Sequence, residues 1–332
     1  MTKPSALITG IAGFAGSYLA EELLAHGYAV SGTMLKNESL ENLDGIRKQI
    51  KLVTLDVSDA AACRKTIKRF RPDYLFHLAA MASVGKSFGA ERATIRVNVE
   101  GTLNLLDACR VQRNLKKFIL ISSADAYGRQ RVNGKALTES VPLEPISPYG
   151  ISKAAAEYLV RYYHRVYETP AVIARSFNHT GPRQNDNFVI PNFCRQIAMI
   201  EAGQAEPIVR VGDLSARRDI SDVREIVRGY RLLAENGKPG QVYQLCSGKA
   251  ESIDRLLKML LAMSERKIKV VKDKSRLRKA DIPILKGSNR KAAREVGFKA
   301  RIPLAETFEA TLNYWRARVS RTQGARLRKI GK

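Results

Sequence analysis

Six short apolar runs in the first half of the chain, separated by segments of helical period, constrain its fold more than any other feature. SALITG, YAVSGTML, IKLVTLDV, DYLFHLAA, KKFILISS and PAVIARSF begin near residues 5, 28, 50, 73, 116 and 170. Most are rich in β-branched or aromatic residues and apolar on both faces, as parallel strands covered by helices on both sides need to be. SYLAEELLAHG, ending at Gly27, and the run from Ala90 to Val111 read as two of the crossover helices. Repeated βαβ units predict an α/β protein with a Rossmann-type, doubly wound parallel sheet.

After Asn178 the pattern loosens into helices and short strands, among them NFVIPNFCRQIAMIEAG, IVRV, DVREIVRGYRLLAENG, QVYQLCSG and KIKVVKD. This half is expected to form a smaller α/β substrate-binding lobe. The division expected is 1–178 for the Rossmann domain and 179–318 for the lobe, with later segments interleaved because such a sheet can take a late strand from a distal stretch. Residues 319–332 read as a basic, disordered tail: no acidic residue follows Glu309, and little apolar surface remains to fix the segment.

With 57 Lys and Arg against 32 Asp and Glu, the chain carries a formal charge of +25, which raises nucleic acid as a partner. The cations are spread along the chain, and no helix-turn-helix, RNP or zinc-finger pattern accompanies them, so no specific nucleic-acid partner is expected. Cys63, Cys109, Cys194 and Cys246 form no CxxC pair and keep no metal-ligand spacing to a histidine. They read as reduced and buried, with no metal site. The opening MTKPSALITG reaches a strand and a glycine turn before any signal-like apolar stretch, so a cytoplasmic protein without a membrane partner is expected.

Three motifs carry chemistry. Thr9-Gly10-Ile11-Ala12-Gly13-Phe14-Ala15-Gly16 places three glycines between a strand and a helix, where the backbone can approach a pyrophosphate at the helix N-terminus. Tyr149 and Lys153 stand four apart at the start of a helix, hence on one face. An ammonium there is expected to lower the phenol pKa from about 10, making the tyrosine an acid and base near neutrality. Ser122-Ser123-Ala124-Asp125-Ala126-Tyr127-Gly128 lies just past a buried strand, where a parallel sheet presents its ligand crevice. Each alone has an ordinary explanation in loop punctuation, a helix pair or turn chemistry.

Taken in order, with His77-Leu78-Ala79-Ala80 and Asn98-Val99-Glu100-Gly101-Thr102 between them, the motifs resemble the extended short-chain dehydrogenase/reductase family from the first strand to about Arg318. That resemblance implies a catalytic set of Ser123, Tyr149 and Lys153. It implies a dinucleotide held by Gly10, Gly13, Phe14 and Gly16, by Asp56 and Val57 at the adenine, by Leu78, Ala79 and Ala80, and by Tyr149, Lys153 and Ser176 at the nicotinamide. Asn98 matches a structural or proton-relay asparagine.

Four later segments, RSFNHTGP from Arg175, FVIP from Phe188, ARRD from Ala216 and RLRKADIP from Arg276, resemble the enzymes that make and reduce GDP-4-keto-6-deoxymannose, most closely the reductases. The substrate residues then implied are Ser83, Ser87, Asn178, Val189, Arg218, Arg278 and Asp281. Guanidinium forks at Arg218 and Arg278 suit a diphosphate, and Asp281 suits a ribose. Related dehydratases carry threonine and glutamate where this chain has Ser123 and Asp125; the shorter acid favours a reductase, with the 4,6-dehydratase as alternative and Asp125 as its acid/base. The second strand ends Thr33-Met34-Leu35-Lys36 with no acid before Glu38, which favours NADP over NAD. The family also implies a homodimer through the long helices beginning near Ala90 and Tyr149. Two readings of another class, a nucleic-acid-binding protein on a dehydrogenase fold and a non-catalytic NADP sensor, sit poorly with the intact Ser123, Tyr149 and Lys153.

Overall fold

The structure, a computed structural model, describes residues 3–130, 135–276 and 282–330, of which 322–330 as backbone only. The six expected strands are β1 (Ser5–Thr9), β2 (Ala29–Met34), β3 (Lys51–Thr54), β4 (Tyr74–His77), β5 (Lys117–Ser123) and β6 (Ala171–Ser176). The small strands of the second half are β7 (Asn178–Thr180), β8 (Ile208–Val211) and β9 (Arg217–Asp222), followed by β10 (Val242–Leu245), β11 (Ala250–Ser252), β12 (Lys269–Lys272) and β13 (Ile284–Leu285). All pairs within the main sheet are parallel, in the order β10-β6-β5-β4-β1-β2-β3. The late strand β10 joins the far edge. The order reverses between β1 and β4, so a crevice opens at their carboxyl ends, where Gly10 and Leu78–Ala80 lie.

Alternate strand residues feed two cores, which explains why the strands are apolar throughout. On one face Ile8, Phe76, Ile119, Val172 and Ala174 pack with Leu19 and Leu23 of helix α1 (Phe14–Ala25) and with Tyr230 and Leu233. On the other, Leu7, Leu75, Phe118, Leu120 and Ile173 meet Ile67 of α2 (Ala60–Phe70) and several further helices. The chain after β4 makes a short helix α3 (Val84–Ser87) and then the expected long helix, which is broken into α4 (Glu91–Ile95), a π turn over Arg96–Glu100, and α5 (Gly101–Arg110). Helix α6 (Pro148–Tyr167) starts where Ser147 caps Gly150 N–H at 3.0 Å and Pro148 occupies the first turn, where its missing N–H costs nothing.

The second lobe is built from α7 (Val189–Glu201) and α9 (Ile253–Leu261) around Phe193, Ile197, Leu256, Leu260, Phe308, Leu312 and Trp315. Its strands form β11-β9-β13 with β7 on β9, and a separate β8-β12 pair. Segments beyond residue 178 return to the first core: α8 (Val223–Asn236) packs on α1, and Val296 of α10 (Arg290–Val296) and Phe298 join it. The final helix α11 runs Leu304–Ile330, past Val319, where the sequence suggested that the ordered chain would end. Val319 is buried, Ser320 and Arg321 are exposed, and the backbone continues as helix.

Candidate active site

At the crevice, Gly10 has φ +70°, and a Cβ there would press Ala79 Cα and N at 3.1 Å. A Cβ at Gly16 would overlap Gly10 O, and one at Gly13 would lie 3.2 Å from it. No side chain caps α1, whose first turn starts at Phe14 and holds no acidic residue. This bare glycine cradle at a helix N-terminus fits the pyrophosphate of a dinucleotide. Lys36 and Leu35 are exposed just beyond β2, and the Glu38 carboxylate turns back to accept Leu35 N–H at 2.9 Å. Asp56 accepts Ser58 Oγ and N–H at 2.7 and 2.9 Å, bonds that hold its carboxyl below the usual range. Val57 is buried beside Gly101, and Leu78, Ala79 and Ala80 are half-buried past β4.

A chain of buried hydrogen bonds ties this loop to α5 and α6. Thr102 Oγ1 donates to Asn98 O at 2.6 Å, so its oxygen accepts from His77 Nε2 at 3.1 Å. His77 Nδ1 is then the acceptor for Thr9 Oγ1 at 2.9 Å, while Thr9 accepts Ala79 N–H at 3.1 Å. Burial, helped by the charge of Lys153, holds the imidazole down to about 3, so it stays neutral. Asn98, in the π turn, accepts Met81 N–H at 2.8 Å and donates to Ser152 Oγ at 2.9 Å, which donates to Tyr149 O at 2.7 Å. The π turn places this side chain between the two loops, as π-bulges at functional sites commonly do.

Ser123, Asp125, Tyr149 and Lys153 come together at the ends of β5 and the start of α6. Ser123 Oγ donates to Asp125 Oδ2 and accepts Asp125 N–H, both at 3.1 Å. Tyr149 is 8% exposed; burial pushes its hydroxyl well above 10, Asp125 adds to the rise, and a hydrogen bond with Ser123 opposes it. Here the expectation that Lys153 lowers the Tyr149 pKa is not met. Lys153 Nζ donates to Ile121 O at 2.9 Å and stands 5.9 Å from the centre of the Tyr149 ring, and burial sets the direction of the tyrosine's shift. Burial also pulls Lys153 down to about 8, against the opposing pull of Glu157. Ser176 Oγ shares a 2.8 Å hydrogen bond with Tyr230 hydroxyl at the neighbouring strand end.

A cleft of about 400 Å³ lies in the second lobe, starting at Asn178, two residues past Ser176; Ser123, Asp125, Tyr149 and Lys153 are not among its lining residues. Asn178, Val189 and Arg218 line it; Arg217 points away, to Ala250 O. Arg210 and Arg276, which the sequence reading did not select, line it too, so three guanidinium groups share the cleft. Of the other substrate residues expected, Ser83 caps α3 through Lys86 N–H, and Ser87 is buried, donating to Val84 O and accepting Tyr149 N–H. Neither lines the cleft. Ser87 instead seats the first turn of α6. Arg278 and Asp281 lie outside the described residues. Among the described residues no cluster of His, Cys, Asp or Glu could hold a metal ion.

Residues 7–311 match the family model described as GDP-mannose 4,6 dehydratase. GDP-6-deoxy-D-mannose reductase of Pseudomonas aeruginosa is 34% identical over 75% of this chain and 82% of its own length. Human GDP-mannose 4,6 dehydratase is 31% identical over 92% of this chain and 90% of its own. Among solved structures, RMD from Pseudomonas aeruginosa complexed with NADPH superposes with a TM-score of 0.83 at 29% identity, covering 95% of this chain and 100% of that one. DesIV, a dTDP-glucose 4,6-dehydratase from Streptomyces venezuelae with NAD and TYD bound, gives 0.83 at 26% identity over 94% and 97%.

Proposed function

The chain belongs to the GDP-mannose 4,6-dehydratase family of nicotinamide-dependent nucleotide-sugar enzymes, and within it we propose that it reduces the C4 ketone of GDP-4-keto-6-deoxymannose with NADPH. The observation that carries this reading is Asp125. A 4,6-elimination needs a second acid/base that reaches C5 and C6. The only acid of the β5 turn is the short one, and its carboxylate is engaged by Ser123. The reductase relative supports the same choice.

When bound, the reduced nicotinamide supplies the hydride. Tyr149 Oη, held protonated by burial, gives its proton to the oxygen that becomes the C4 hydroxyl. Ser123 Oγ orients the carbonyl by hydrogen bonding, and Lys153 holds the nicotinamide ribose. Arg210, Arg218 and Arg276 receive the diphosphate, with Asn178 nearer the hexose. Lys36, exposed past β2, is the cation we assign to the 2′-phosphate of NADP.

A second reading keeps the dehydratase. It is favoured by the family model and by Asp125 lying close enough to raise the Tyr149 pKa, hence close to the reacting centre. We also read the enzyme as a cytoplasmic homodimer with no specific nucleic-acid partner. Four buried thiols suit a reducing compartment. Ile151, Tyr158, Tyr162 and Val166 lie at helical spacing on α6 and are 48–63% exposed, an apolar stripe suited to a second copy.

The deciding experiment incubates the protein with GDP-4-keto-6-deoxymannose and NADPH, and separately with GDP-mannose and NADP, with products identified by mass and NMR. A reduced deoxyhexose in the first tube alone is expected. Loss of water from GDP-mannose in the second would install the dehydratase reading.

A further inference from the structure

One helical turn beyond Lys153, α6 carries Glu157, which is fully buried. Its Oε1 accepts Ser122 Oγ at 2.6 Å and Arg175 Nε at 2.9 Å, and its Oε2 accepts Arg175 Nη2 at 2.5 Å. Arg175 is equally buried and donates through Nη1 to Tyr127 hydroxyl at 2.5 Å. That hydroxyl also accepts Gln244 Nε2 at 2.5 Å and donates to Thr138 O at 2.8 Å. Gln244 Oε1 in turn accepts Ser288 N–H at 2.9 Å, which brings in the loop after β13. A buried ion pair adds little net stability, because desolvating two charges offsets their attraction, and apolar side chains of similar volume would fill the space as well.

The neighbours of the pair indicate its use. Ser122 directly precedes Ser123, Arg175 directly precedes Ser176, and Tyr127 closes the turn that holds Asp125. We propose that the Glu157–Arg175 pair is a positioning device for the reaction centre: it pins the end of β5 that presents Ser123 and Asp125, and sets a carboxylate one turn from Lys153 on α6. Neither residue touches the substrate. The other charged or titratable groups of this cluster are Arg161 and Tyr149 on α6, the former with Nη2 3.9 Å from Glu157 Oε2, Asp125, Tyr127 and Glu139 after β5, Tyr230 on α8, and the neutral His77 of β4. Glu157 is the group that pulls Lys153 toward its charged form.

The inference rests on the assignment of Ser123, Tyr149 and Lys153 to catalysis, and its test is read in two ways. E157L/R175M removes both charges of the pair together, so neither Glu157 nor Arg175 is left as a lone buried ion. NADPH binding, followed by its fluorescence from about pH 6 to about pH 10, covers the range in which Lys153 titrates. The wild-type protein should lose affinity as Lys153 deprotonates, and in the double variant that loss should begin at a pH lower by about half a unit or more. Ketone reduction at saturating NADPH should fall about ten-fold or more, with KM for NADPH at pH 6 within about three-fold of wild type. A binding midpoint and kcat that both match wild type would overturn the proposal. Should the double variant fail to fold, S122A, which deletes one bond to Glu157 and keeps every charge, should lower kcat about three-fold or more with the midpoint unmoved; an unaltered kcat there would also overturn it. If wild-type protein binds NADPH but reduces no GDP-hexose, the proposed function falls, and the NADPH midpoint still decides the role of the pair.

Discussion

Replacing Lys153 by methionine should make the protein more stable and nearly inactive at neutral pH. The wild-type ammonium is 6% exposed, and burial pulls its pKa from 10.5 to about 8. At 1.36 kcal/mol per unit, holding it charged below that value costs the folded state roughly 3 kcal/mol. Methionine keeps most of the stem, loses the charge, and gives up the bond to Ile121 O, worth about 1 kcal/mol. A net gain of about 2 kcal/mol follows, or several degrees of Tm for a chain of this size. The sign with pH is fixed by the direction of the shift. Because the folded pKa is depressed, the unfolded chain binds more protons between about pH 8 and about pH 10.5, so wild-type stability rises with pH across that window. The advantage of K153M should therefore be full below about pH 8 and largely gone near pH 10.5. Urea melts at pH 7 and pH 10, with ketone reduction measured on the same samples, test this. A variant less stable than wild type at pH 7, or an advantage independent of pH, would refute the reasoning.

Tyr149→Phe should lower ketone reduction by about 10²–10⁴ while GDP binding stays unchanged, because the ring remains and only the proton donor is lost; stopped-flow NADPH oxidation and GDP calorimetry separate the two. Arg218→Ala should weaken GDP binding about ten-fold or more without altering NADPH affinity, in line with one lost charge-assisted bond to a phosphate. Gly16→Ala should abolish NADPH binding or destabilise the fold, since its methyl group would overlap Gly10 O; fluorescence titration and thermal melts show which. Y158E/Y162E should shift sedimentation from dimer to monomer by placing charges in the apolar stripe of α6.

Much of the sheet domain was legible because its strands are buried on both faces and its chemistry sits in loops immediately after them, so that residue type and position in the chain point to the same crevice. What stayed hidden depends on tertiary partners. The π turn over Arg96–Glu100 contains neither glycine nor proline; its irregularity accompanies the bonds of Asn98 to Met81 and Ser152, which local propensity does not contain. The stretch Arg217–Asp222 is not among the strands expected from the sequence, yet it is a strand whose Asp219 is fully buried. That carboxylate is satisfied by Ser247 and Gly248 N–H at 2.9 Å and Ser247 Oγ at 2.6 Å, groups nearly thirty positions away. The same dependence explains the Tyr149 expectation. Spacing places a lysine near the phenol, but the sign of the shift is set by how much water both groups lose, and that is a property of the closed site. Arg210 and Arg276 make the point from the other side. Arg276 lies in a basic stretch where any neighbour looked equally suitable, Arg210 is the lone cation of an apolar strand, and only the fold selects which guanidinium groups share a cleft with Arg218. Residue chemistry thus points to a class of ligand, while the choice among similar residues, and the protonation of the candidates, comes from burial.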